Sequence, residues 1–145
     1  MRLLLDTNVV VAGLLWNGHP RHLLNLAIQG DIDLCSSPAL MSELAHTLHY
    51  PKFSKRIAQM CATTPSALTV RYSALVTLVT PTEVPCVIEQ DPDDDHVLAC
   101  AVAAGVDLIV SGDKHLLNLG GGYQGIHIVL PSQAVDLLLT KPNQT

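Results

Sequence analysis

Short continuous apolar runs alternate along the chain with longer stretches in which apolar side chains return every three or four positions. Arg2–Leu5, with leucine at 3, 4 and 5, predicts a buried strand, because so brief a run is too short for a helix. Asp6-Thr7-Asn8 supplies capping side chains, and a helix is expected from there to Leu15, broken by Asn17-Gly18. Pro20 suits the first turn of a second helix, which Gly30 stops. Ile32 to Cys35 predicts a second strand. Ser37-Pro38 opens a third helix, in which Leu40, Leu44 and Leu48 form one stripe at spacing four before Pro51 ends it. Helices over Phe53 to Cys61 and Pro65 to about Val76, then an extended piece over Val76 to Thr80, lead into a turn-rich connector at Pro81 to Pro85.

Asp93-Asp94-Asp95 opens another helix, with Val97, Leu98, Ala101 and Val102 as its inward face and Gly105 as its stop. Val106 to Val110 predicts a strand, Lys114 to Leu119 a short helix, Ile126 to Leu130 the last strand and Pro131 to Leu139 the last helix. Gly120-Gly121-Gly122 lacks the lysine and hydroxyl residue of a phosphate-binding loop and reads as a flexible, hairpin-like connector. Strands alternating with helices predict an α/β domain with a parallel sheet covered on both faces. The 145 residues suit one domain over 1–140, followed by a polar tail at 141–145.

Composition narrows the function. Hydrophobic residues make up 48% of the chain, an apolar excess that suits a homodimer interface. The formal charge of −5 argues against a protein that holds nucleic acid by bulk charge, but not against one that holds a phosphate through a metal ion. Cys35, Cys61, Cys86 and Cys100 form no C-x-x-C pair and sit among apolar neighbours, so buried free thiols in a reducing compartment are expected. No signal-peptide core and no bilayer-length apolar run is present, which predicts a cytoplasmic protein away from membranes.

Four acids fall at the seams of this pattern. Asp6 follows the first strand, and Asp113 follows the Val106–Val110 strand through Ser111-Gly112. Glu43 lies on the border of the third helix's apolar stripe, and Asp95 lies in the first turn of the next long helix. In a parallel α/β sheet the carboxyl ends of the strands share one edge, where ligands bind. Carboxylates gathered there repel one another unless a cation sits between them. Oxygen donors alone suit Mg²⁺ or Mn²⁺, whereas zinc favours histidine and cysteine. Each acid also has a plainer reading. Asp6 and Asp113 suit helix caps, Glu43 a solvated flank, and Asp93 to Asp95 the positive end of a helix dipole. Four caps need not converge, whereas four ligands must.

The order Leu3-Leu4-Leu5-Asp6-Thr7-Asn8, Glu43 inside the helix Ser37–His49, Asp95-His96-Val97-Leu98-Ala99-Cys100-Ala101, and Ser111-Gly112-Asp113-Lys114-His115-Leu116-Leu117 resembles the PIN domain (PilT N-terminus) family. The resemblance covers essentially the whole chain, and the VapC-like toxins of toxin–antitoxin pairs are the branch it is most similar to. It implies a three-layer, Rossmann-like sandwich around a central parallel sheet. It also implies an RNA-cleaving hydrolase dependent on Mg²⁺ or Mn²⁺, with Asp6, Glu43, Asp95 and Asp113 as its catalytic and metal-holding acids. Asn8 and Ser111 match supporting positions. Asp95 is preferred to its rival Asp94 because Leu98 and Ala99 stand where the family's helix pattern places them after its acid. His115 departs from the pattern, standing where related chains often carry another acid. An antitoxin protein and a homodimer are the partners the resemblance implies.

Lys52, Lys55 and Arg56 lie beside Tyr50 and Phe53, a basic patch with aromatic faces that suits single-stranded RNA or, more plainly, a solvated helix face. Lys114 either contacts a phosphate or offsets the charge of Asp113. The pairs His19/His22 and His46/His49 lack a third ligand at zinc-like spacing. Apolar helical segments at Leu23–Ile28 and Val135–Leu139 suit docking of a partner helix or a second copy. Two other readings compete. A phosphatase like the haloacid dehalogenase superfamily would want a second aspartate two residues after Asp6, where Asn8 stands. A non-catalytic domain that binds RNA or a partner would not need all four acids.

Overall fold

The computed structural model describes residues 1–60, 63–82, 92–119 and 122–139, the side chains of 92–94 and 122 excepted. Cys61, Cys86, Gly120, Gly121, most of the connector after Pro81, the tail and the side chain of Asp94 therefore lie outside the described residues. The elements run β1 (Arg2–Leu5), α1 (Thr7–Leu15), α2 (His19–Ile28), β2 (Asp33–Ser36), α3 (Pro38–Leu48), α4 (Pro51–Gln59), α5 (Pro65–Leu75) and β3 (Val76–Leu78). They continue with α6 (Pro92–Ala104), β4 (Leu108–Val110), α7 (Lys114–Leu117), β5 (Gly122–Tyr123), β6 (Ile126–Val129) and α8 (Pro131–Leu139).

The strands form one sheet in the order β3-β2-β1-β4-β6-β5. The first five are parallel, and β1 lies in the middle, Leu4 opposite Cys35 of β2 and Ile109 of β4. Side chains alternate across such a sheet. Leu3, Leu5, Leu34, Leu108 and Val110 pack with α1 to α5 and α8 on one face. Leu4, Cys35, Ile109 and Ile128 pack with α6 and Leu116 of α7 on the other. The layers are helix, sheet and helix, as the alternation of the sequence predicts. Cys35 and Cys100 are free and buried in this second layer.

Three local features differ from the sequence reading. The strand expected from Val106 begins at Leu108, because the Val106 N–H closes the end of α6 on the Ala101 carbonyl, 3.2 Å away. The two-residue β5 runs antiparallel to β6 through a tight turn at Gln124 (φ 50°) and Gly125 (φ 83°). Both central residues have the positive φ that such hairpin turns require. Val102 is exposed rather than inward, since it lies about 140° around α6 from Val97 at ~100° per residue.

Close packing fixes the start of the chain. A methyl group on Gly13 would lie 2.9 Å from Leu24 Cδ1 and 3.0 Å from the Pro20 carbonyl oxygen, so α1 and α2 meet where only glycine fits. Leu23, Leu24, Ala134 and Val135 are consumed by the core, which leaves Ile28, Leu137 and Leu139 as the exposed apolar positions of α2 and α8. Among the described residues no helix is long and apolar enough to cross a membrane.

Candidate active site

Parallel pairing of β1 with β4 sets Leu5 opposite Val110, so the residues that follow each strand emerge side by side at the carboxyl edge. The Asp6 N–H continues the ladder to the Val110 carbonyl at 3.1 Å. Asp6 then leaves the strand in an extended conformation and caps α1, its Oδ1 accepting the Val9 N–H at 3.1 Å. Its Oδ2 accepts a hydrogen bond from the Ser111 hydroxyl. Ser111 is itself fully buried, and its Oγ accepts the Asp113 N–H at 2.9 Å. Asp113 caps α7 through Oδ1, which accepts the His115 N–H at 2.7 Å. His115 Nδ1 lies 3.6 Å from the same oxygen, so the residue that departs from the expected acid leans on one.

One serine hydroxyl thus links the Asp6 carboxylate to the backbone N–H of Asp113, just beyond the ends of two adjacent strands. Asp6 is only 6% exposed, while a quarter of the Asp113 side chain meets solvent. Burial pushes the Asp6 carboxyl above its ordinary pKa; the Ser111 hydroxyl and the Val9 N–H pull it down, and the Asp113 charge pushes it up again. Neither capping role calls for the other acid, yet each lies within electrostatic reach.

Glu43 reaches the same region from α3. Its Oε1 accepts the Thr7 hydroxyl at 2.8 Å, which fastens the middle of α3 to the first residue of α1. Asp95 is 5% exposed in the first turns of α6, a helix that packs against β1 and β2. Asn8 and Lys114 are exposed beside Asp6 and Asp113 in the chain. Farther away, Lys52 Nζ lies 4.9 Å from the centre of the Phe53 ring. Arg56 donates from Nε and Nη2 to the Leu15 carbonyl at 3.1 and 2.9 Å, its guanidinium 5.4 Å from the centre of the Trp16 ring. Arg56 therefore closes the carboxyl end of α1 as well as carrying charge. Sequence reasoning missed Thr7, whose only signal is a hydroxyl between two polar site residues, and Trp16, eight positions after Asn8.

Among the described residues, no group of three or more histidine, cysteine, aspartate or glutamate side chains is gathered tightly enough to hold a metal ion by itself. The pair Asp6 and Asp113 still fits a hard cation. Mg²⁺ is commonly bound by one or two carboxylates, its remaining positions filled by water and substrate phosphate. A buried acid kept proton-hungry by burial and a second acid is the environment that a divalent charge relieves.

A protein-family model described as PIN domain matches residues 2–115, a span that contains all four candidate acids. Among solved structures, the chain is similar to the crystal structure of PAE2754 from Pyrobaculum aerophilum, with 12% identity and a TM-score of 0.57 over 97% of this chain and 91% of that one. It is also similar to the crystal structure of VapBC2 from Rickettsia felis bound to a DNA fragment from their promoter, with 15% identity and a TM-score of 0.57 over 88% of this chain and 97% of that one. At such identities the likeness is one of fold. No curated protein matches the sequence.

Proposed function

Because the chain belongs to the PIN domain family, whose members are generally nucleases, we propose that it is an endoribonuclease that uses Mg²⁺ or Mn²⁺ to hydrolyse RNA phosphodiester bonds. The observation that carries the reading is the meeting of Asp6 and Asp113 at Ser111 on the carboxyl edge of the sheet. In this reading Asp6 and Asp113 hold the ion, and Glu43 and Asp95 complete the acidic surround. When bound, the ion acidifies a water and offsets the charge that builds on the phosphoryl oxygens.

The chain's own residues do the rest. Ser111 holds Oδ2 of Asp6 in place through its hydroxyl, and Thr7 does the same for Oε1 of Glu43. The sheet edge and the capped start of α1 fix the Asp6 backbone, so the acid does not need to reorganise when substrate arrives. Asn8, with Asp94 as the neighbour of Asp95, supports the centre. Lys114 is exposed next to Asp113 and would meet a phosphate there, with Lys52 and Lys55 farther along the strand.

The toxin role is part of the same proposal. It is supported by the fold shared with the structure of VapBC2, which is bound to a DNA fragment from their promoter. An antitoxin protein, a second copy of the chain and a cytoplasmic setting follow from it; Ile28, Leu137 and Leu139 offer apolar contact for the protein partners.

The test is cleavage of a labelled single-stranded RNA by the purified chain with Mg²⁺, with Mn²⁺ and with chelator. Cleavage only with metal, lost in Asp6→Asn and in Asp113→Asn, is the expected result. Cleavage indifferent to chelator, or retained in both variants, overturns the proposal. Turnover of small phosphate monoesters without RNA cleavage would give the phosphatase reading instead.

A further inference from the structure

One helix connects the acidic centre to a second feature. Within α1, the residues Thr7, Val9, Val10, Val11, Gly13, Leu14 and Leu15 are buried. The positions left open are Asn8, Ala12 and then Trp16 just beyond the helix, a single stripe at spacing four. The stripe begins beside Asp6 and ends about 14 Å away at ~1.5 Å per residue. A second row starts at Glu43 of α3 and continues through His46 to Tyr50, the residue that precedes α4, at spacings of three and four. The two are joined at the acidic end, where Thr7 bonds Glu43. Farther along, Trp16 packs edge-on against Phe53 of α4 with ring centres 6.2 Å apart, and within the second row His46 packs edge-on against Tyr50 at 5.3 Å.

The far end is a ledge of aromatic faces. Trp16 is 43% exposed and Tyr50 is 44% exposed, although both are large rings that burial would favour. Three of the chain's eight lysines and arginines, Lys52, Lys55 and Arg56, fall within five residues there. In a chain of net charge −5 this is a local reversal of sign. Exposed rings with cations beside them match the flat bases and charged backbone of a single strand. Ala12 keeps the floor between the two ends low.

We propose that the strand cut at the acids continues along the floor between α1 and α3, and that its bases stack on Trp16 and Tyr50, about four stacked nucleotides from the cut at ~3.4 Å each. The inference rests on the ribonuclease reading and adds to it a stacking subsite that sets a minimum substrate length. Lys52 and Lys55 take the phosphates of the stacked segment. Arg56, spent on the Leu15 carbonyl, braces Trp16. A protein helix would be served by an aliphatic surface; these rings lie among cations, which favours RNA.

The chain's single tryptophan makes the test direct. Single-stranded RNA is titrated into the full chain with chelator present, and Trp16 emission is read alongside anisotropy of the labelled RNA. An eight-nucleotide RNA should quench Trp16 saturably, and a dinucleotide should not. Lys52→Ala with Lys55→Ala should shift the quenching midpoint upward at low salt. With metal present, Tyr50→Leu should raise KM for the longer RNA about tenfold, by the loss of one stacked base. RNA binding that leaves Trp16 emission unmoved overturns the ledge while the ribonuclease stands, and would assign these rings to another occupant such as a partner helix. Failure of any RNA to bind or be cut sinks the ribonuclease reading itself and the ledge with it.

Discussion

The two ends of α1 carry opposite charges, each of the sign its helix end favours. Asp6 caps the amino end and Arg56, from α4, closes the carboxyl end on the Leu15 carbonyl. As caps they are equivalent, each satisfying backbone groups that a helix terminus leaves open. Their surroundings are not. The carboxyl end pairs its cation with an aromatic ring and faces solvent, an arrangement that is comfortable as it stands. At the amino end a buried carboxylate shares a serine hydroxyl with the residue of a second acid, which makes its charged state more costly. Capping accounts for Arg56 at the carboxyl end. At the amino end it leaves Asp113 unexplained, and that surplus acid is where a functional argument begins.

The largest effect expected is on chemistry at the amino end alone. Asp6→Asn should keep the cap, since asparagine caps as well as aspartate, yet lower metal-dependent RNA cleavage by about 100-fold or more. Asp113→Asn should do likewise. Initial rates at saturating Mn²⁺ check both, and a loss below tenfold would make the two ends of α1 alike. Next comes the middle of the helix. Gly13→Ala pushes a methyl against Leu24 and the Pro20 carbonyl, and should cost about 1–3 kcal/mol in a urea titration. That loss should leave the metal requirement for cleavage as it was, because it strikes no acid.

Arg56→Ala removes the carboxyl-end closure and should cost about 1 kcal/mol, read as a lower Tm. The smallest effect sharpens the contrast most. Asp6 has its pKa raised by burial, so the folded chain holds that proton more tightly than the unfolded chain does. Its charge therefore subtracts stability above its folded pKa and stops doing so below the ordinary carboxylate value, about 3.9. Asp6→Asn in chelator should accordingly melt slightly higher than the parent at neutral pH. The gap should close on acidification. Thermal melts across that range decide it, and a lower Tm for Asp6→Asn at neutral pH would contradict the electrostatic reading of the site.

Much of this was legible in the chain because it is written locally. Leu3-Leu4-Leu5 and the Leu40/Leu44/Leu48 stripe announce their elements by period, and Ser37-Pro38 marks the start of α3. Asp6, Ser111 and Asp113 could be placed at one edge because strand ends in a parallel sheet must share it. What escaped depends on partners far away in sequence. Nothing near Thr7 says that its hydroxyl will find Glu43, thirty-six residues on. Arg56 reads as a surface cation, and only the packing of α4 beside α1 turns it to Leu15. The strand β5 was hidden for a different reason, although the glycine run before it reads as a hairpin-like connector. It has two residues per ladder, too few to show alternation, and its turn places Gln124 at a positive φ that side chains rarely adopt.

That hairpin also governs how copies of the chain can meet. Open sheet edges invite a second molecule to add its strands, and long flat ones do so most readily. Here the described sheet is bounded by a three-residue strand on one side and a two-residue, reversed one on the other. A neighbour joining at either margin would gain only a few backbone hydrogen bonds. Fibre-like stacking is thereby discouraged, which favours contact between molecules through the described helices over contact through the sheet.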